Sequence, residues 1–232
     1  MTNTTVKQLI EEIQENGYEK QPWILNTNED LFTGPNNLKQ KGKIESVQIY
    51  SKLIYSQDEI DYLNGTSGGE VVKYLSSNET EKIGNGGGQE CAHGNENGNK
   101  TADGDQDLNR IPISNHLLGF FKLGKKLTSH LNIVHGGAIA TLIDEFFVKV
   151  CLPLTPKHFA VTANLNIKYQ KPLKFEKDGE PLLDVLLDCY IKYNKDNRKF
   201  TVCGGLKNVE GDYVYCFGEV LVVVPRVGPD QL

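Results

Sequence analysis

The chain has 232 residues, a net charge of −5, 38% hydrophobic residues and 24% charged residues. That is enough for one domain with a real core plus extra segments, or for two small domains, and it sets a soluble protein as the default. The negative balance excludes a broad electrostatic grip on nucleic acid or anionic lipid. No apolar run approaches the roughly 20 residues that span a bilayer.

The N-terminal stretch holds Lys7 and Lys20 beside Glu11, Glu12, Glu15 and Glu19, without arginine. It lacks the basic start and apolar stretch of a secretory signal, and the Arg-rich, acid-poor make-up of a mitochondrial presequence. The five cysteines (Cys91, Cys151, Cys189, Cys203, Cys216) are odd in number and form no CxxC pair. A reducing compartment with cysteines as small core residues fits best.

Residues 4–16 predict an amphipathic helix with Val6, Leu9, Ile10 and Ile13 on one face, ended by Asn16-Gly17. A strand or two is expected around Ile44–Ile54, after the turn signal Gly34-Pro35-Asn36-Asn37. Residues 1–63 thus read as an N-terminal extension. The stretch 64–109 differs in kind. Its centre, GNGGGQECAHGNENGN, has no apolar periodicity and cannot bury enough surface to offset chain entropy, so a disordered insert is expected. Gly86-Gly87-Gly88 lacks the preceding strand and following Lys-Ser/Thr of a phosphate loop. Cys91 and His93 alone make no metal site.

Residues 110–225 carry the organised pattern, and 226–232 form a tail. A strand is expected at 117–124, a loop at Lys125–Val134, and then His135-Gly136-Gly137 opens a helix over 137–152. That helix is apolar nearly all round and therefore buried, which makes Asp144 and Glu145 inside it conspicuous. In 161–169 the period becomes two, with Val161, Ala163, Leu165, Ile167 and Tyr169 alternating with Thr162, Asn164, Asn166 and Lys168. Strands at 182–193, 199–207 and 213–224 follow with hairpin-type connections. The fold class is α+β: an antiparallel sheet wrapped around one long central helix. His116 and His158 are expected on the surface.

A helix N-terminus carries unpaired N–H groups and partial positive charge, and Gly136-Gly137 lets a ligand approach that backbone. This suits the oxygen of a polarised thioester carbonyl. Asp144 lies two turns further on, about 10 Å along the axis, so one carbonyl cannot touch both. Two antiparallel copies of the helix could bring Gly137 of one to Asp144 of the other, which implies a dimer. Asp144 would then act as general base or nucleophile. A tight turn plus an ion-paired structural acid is the equally open alternative on spacing alone.

At these residues the chain resembles a known family. IVHGGAIATLIDE (133–145) looks like the signature of hotdog-fold acyl-CoA thioesterases, and VTANLNIKYQKPL (161–173) and NRKFTV (197–202) are similar to its following elements. The resemblance covers about residues 117–224 and implies a hotdog domain that hydrolyses acyl-CoA. It implies a medium or long acyl chain held in an apolar channel between helix and sheet. No metal or redox cofactor is implied, coenzyme A being part of the substrate. The expected assembly is a homodimer or a dimer of dimers. By position, Asp144 matches the catalytic acid, Thr162 a hydroxyl beside it, and Gly136 and Gly137 the backbone donors. His135 either touches substrate or caps the loop. Lys168, Gln170, Arg198 and Lys199 fall where substrate or coenzyme A is contacted, and cations there suit its phosphates. Ser129, His130 and Asn132 all compete for a polar position upstream of the glycines. Glu145 is expected to pair with a neighbour. A non-catalytic acyl-CoA binder is the alternative, and a hydratase or dehydratase a further one. The expected compartment is the cytoplasm, with the mitochondrion as alternative because relatives occur there.

Overall fold

A computed structural model describes residues 2–21, 42–65, 111–130, 132–155, 159–175 and 182–226. The elements are α1 (Thr2–Glu15), β1 (Glu19–Gln21), β2 (Ile44–Ile54), α2 (Gln57–Gly65), β3 (Ser114–Gly124), β4 (Thr128–His130), β5 (Ile133–Val134), α3 (Gly136–Cys151), β6 (Val161–Tyr169), β7 (Leu182–Lys195), β8 (Lys199–Asn208) and β9 (Val214–Val223). Seven strands form one sheet in the order β1-β2-β3-β7-β8-β9-β6, with every neighbouring pair antiparallel. The sheet wraps around α3, the hotdog architecture that the resemblance implies.

Helix α3 buries Ile139, Leu142, Ile143, Phe146, Phe147, Val150 and Cys151 against the inner sheet face. Each large side chain so buried stabilises by about 1.5–3 kcal/mol. The approach is close: a Cβ on Gly218 of β9 would stand 3.1 Å from Ile143 and 3.3 Å from Phe147. At this crossing the helix and sheet side chains are in direct contact.

The outer sheet face is covered as well. Leu9 and Ile13 of α1, as their helical spacing predicts, pack with Tyr18 on Tyr50, Leu118, Phe120 and Leu186. Short helix α2, which the sequence did not announce, sets Ile60 and Leu63 against Ile54, Tyr190 and Cys203. Its Asn64 accepts from the Tyr190 hydroxyl at 2.9 Å, so residue 64 belongs to the folded part rather than to the insert. The remainder of the expected insert, from residue 66 on, lies outside the described residues. The anticipated loop Lys125–Val134 contains a 3-10 turn and the small β4–β5 hairpin.

Between these outer clusters lies a polar chain. His116 is 1% exposed and not on the surface as its type suggests, because its β3 position points outward beneath α1 and α2. Its Nδ1 meets the Tyr18 hydroxyl and its Nε2 lies 2.8 Å from Asp188 Oδ1. Lys207 Nζ donates to the second Asp188 oxygen at 2.7 Å. Burial alone would push the Asp188 carboxyl up, but Lys207 and His116 hold it well below the usual carboxylate range. His158 lies outside the described residues.

Candidate active site

The turn that opens α3 is pinned on all sides. His135 N–H donates to Leu127 O, and Val134 N–H to Leu173 O. His135 sits at the N-cap in extended conformation (φ −63°, ψ 131°), and its carbonyl accepts from Ala138 and Ile139. Its ring Nδ1 accepts from Gly137 N–H at 2.9 Å. That nitrogen is therefore unprotonated, with the ring proton on Nε2. Gly137 makes this possible, since a Cβ there would lie 2.9 Å from the same nitrogen. Of the two expected donors, Gly137 N–H is thus engaged by its own cap, whereas Gly136 N–H meets no acceptor among the described residues.

Two turns along, Asp144 is partly exposed and accepts from Thr162 Oγ1 at 2.6 Å. Simple alternation puts Thr162 with Asn164, Asn166 and Lys168, away from the helix. A register shift between Thr162 and Asn164 reverses this. Thr162 pairs with core residue Val222, while Asn164 pairs with exposed Leu221. The bulge thus turns the hydroxyl inward beside Asp144. Beyond it Leu165 and Ile167 pack on the core, and Tyr169 reaches back to donate to Gly136 O at 2.7 Å. Helix α3 and strand β6 therefore run in opposite directions, with the glycine turn beside Tyr169 and the carboxylate beside Thr162.

The sequence missed Tyr169 in this role. Its contact spans 33 residues, and no local signal marks it. The His135 cap, by contrast, was partly legible as one of two readings.

The cationic candidates are exposed and do not converge in one chain. Lys168 and Gln170 lie at the Gly136 end of β6, and Lys168 points to the face opposite Tyr169. Arg198 and Lys199 lie at the Thr162 end: Lys199 pairs with Val223, which pairs with Val161. Ser129 and His130 are exposed on β4, and Asn132 forms a left-handed turn (φ 63°) ahead of β5. Glu145 is partly exposed and is not without a partner, as expected. No group of three or more His, Cys, Asp or Glu side chains suited to a metal occurs among the described residues.

Within one chain the glycine turn and Asp144 lie apart along α3. One offers a backbone donor and the other a carboxylate steered by a hydroxyl, separated by about 10 Å of helix. Residues 131–178, which span the glycine turn, Asp144 and Thr162, match the thioesterase superfamily model. The resemblance read from residues 133–145 therefore holds.

Among named proteins, the chain is 29% identical over 119 residues to acyl-coenzyme A thioesterase THEM4 of Mus musculus, covering 51% of this chain and 46% of that one. It is 32% identical over 93 residues to an uncharacterized mitochondrial protein of Candida albicans (strain WO-1), covering 40% and 39%. The matches thus span less than half the length of either relative. Similar solved structures include a thioesterase superfamily protein from Shewanella loihica (25% identity, TM-score 0.39, 47% of this chain and 84% of that one). Another is smu.793 from Streptococcus mutans bound to acetyl CoA (20% identity, TM-score 0.41, 47% and 81%).

Proposed function

We propose that this chain hydrolyses acyl-CoA thioesters as a homodimer whose two sites each combine both subunits. The observation that carries this is the Thr162–Asp144 hydrogen bond of 2.6 Å, two turns along α3 from its glycine turn. Strand β6 pairs with β9 on one side, and its other edge is open among the described residues. A second copy joining that edge antiparallel, with the twofold near Leu165, sets the Thr162 end of one strand beside the Tyr169 end of the other. That pairing brings Asp144 of one copy to the Gly136 turn of the other.

Asp144 then takes a proton from water as the water oxygen bonds to the thioester carbon. Gly136 N–H of the partner subunit stabilises the oxyanion. Collapse breaks the carbon–sulfur bond, and the departing thiolate receives the proton from Asp144. Direct attack by the carboxylate, with water cleaving the resulting anhydride, uses the same groups. Thr162 orients the carboxylate in both routes. The acyl chain, of medium or long length, runs along α3 toward the subunit boundary. In this reading no metal or redox cofactor takes part, and Lys168, Gln170, Arg198 and Lys199, exposed at the two ends of β6, are the groups that meet the coenzyme A portion. The name of the Candida relative favours the mitochondrion over the cytoplasm, which cell fractionation tests.

The test is release of free coenzyme A from palmitoyl-CoA, detected with a thiol reagent. Wild-type turnover that is abolished in a folded Asp144→Asn variant is the expected result. Binding without turnover by the wild type means a non-catalytic acyl-CoA binder. An active preparation that light scattering shows to be wholly monomeric at micromolar concentration removes the two-subunit site.

A further inference from the structure

We propose that Tyr169 is a positioning residue for the oxyanion donor, a role that rests on the hydrolytic reading above. The peptide group between Gly136 and Gly137 is held at both ends. Its carbonyl accepts from the Tyr169 hydroxyl at 2.7 Å, and its N–H donates to His135 Nδ1 at 2.9 Å. One step back, the His135 carbonyl is held by Ala138 and Ile139. The Gly136 N–H between them is the group left to face a ligand.

Two consecutive glycines are the most permissive backbone a chain can place at a helix start. The first turn of a helix also lacks the internal hydrogen bonds that fix later turns. Left alone, such a start would let the Gly136 N–H swing, and a donor that must reorganise during reaction contributes little. The two side chains supply what the glycines lack. The Tyr169 ring lies against Gly136, where an added Cβ would sit 3.5 Å from the ring and hydroxyl.

Within one chain Tyr169 is 51% exposed, and its hydroxyl rather than core burial ties it to the glycine turn. Its place on β6 is informative. The same strand supplies the Thr162 hydroxyl to Asp144 at one end and the Tyr169 hydroxyl to the glycine turn at the other. One rigid strand thereby sets the direction of both working groups.

The test is Tyr169→Phe, which removes one oxygen and keeps the ring. With palmitoyl-CoA, kcat falls about tenfold while KM stays within about twofold, the pattern of an interaction realised only in the transition state. In protein labelled at glycine, amide hydrogen exchange at Gly137, whose N–H is bonded to His135, quickens by about tenfold while core amides keep their protection. A kcat within about twofold of wild type overturns the proposal. Should the wild type itself not hydrolyse the substrate, the exchange measurement decides separately. Unchanged exchange at Gly137 overturns the clamp, whereas quickened exchange upholds it and leaves only the hydrolytic reading refuted.

Discussion

Replacing Asp188 with Asn tests whether the chain Tyr18–His116–Asp188–Lys207 is held together by charge. The substitution keeps the shape and deletes the one negative charge facing Lys207, whose side chain is only 7% exposed. Removing one member of a buried pair costs about 3–5 kcal/mol, because the survivor stays desolvated without compensation. Asn still accepts a hydrogen bond, which returns about 1 kcal/mol. The expected loss is therefore about 3 kcal/mol, equal to roughly 6–12 °C in Tm for a chain of this size. Urea and thermal unfolding at pH 7 read it, at fixed protein concentration so that association does not vary. Lys207→Met should lose a similar amount, and combining it with Asp188→Leu should restore much of it. The pH dependence has a definite direction. Asp188 ionises more readily folded than unfolded, so its stabilisation is complete above the unfolded value of about 3.9 and is lost as pH falls through the lower folded value. The gap between wild type and Asp188→Asn should thus persist at about pH 5 and narrow below about pH 4. Single variants lying within about 1 kcal/mol of wild type at pH 7 would refute the charge argument.

Thr162→Ala should keep the fold and lower kcat for palmitoyl-CoA about tenfold by freeing the Asp144 carboxylate; unchanged kcat removes the steering role. Gly204→Ala places a Cβ 2.1 Å from Asp188 O and 2.6 Å from Cys189 Cα. Since backbone must move, the variant should lose about 3 kcal/mol in urea unfolding, and a wild-type midpoint contradicts the packing. Cys151, Cys189, Cys203 and Cys216 are buried, and burial pushes the Cys203 thiol to about 12 and the Cys216 thiol to about 11. In a Cys91→Ser background, a thiol reagent at pH 8 should label none of them in native protein and all four after unfolding.

Local pattern carried the inner half of this structure. The apolar run from Ala138 to Val150 set the buried helix, and the alternation in 161–169 set strand β6. The outer half was hidden for physical reasons. Strand β7 is buried on both faces, so Asp188 stands among apolar neighbours with no polar stripe to announce a second layer. His116 finds its partners 98 and 72 residues away, beyond any local reading. Helix α2 is short, with Asp58 and Glu59 in its first turn, and too few apolar positions to show a period. In the site, Asp144, the glycine turn and the Thr162 type were legible. The face of Thr162 was not, because a one-residue bulge inverts the alternation that would assign it.

The two borders of the sheet are finished differently. One ends in three residues that include Glu19 and Lys20, and the other in the nine-residue strand β6. Strand-by-strand polymerisation needs a receptive border on both flanks of every new member. Among the described residues one border is short and charged and the other long and open, so in the two-subunit arrangement proposed above a second copy that joins β6 leaves only the short border exposed on each side.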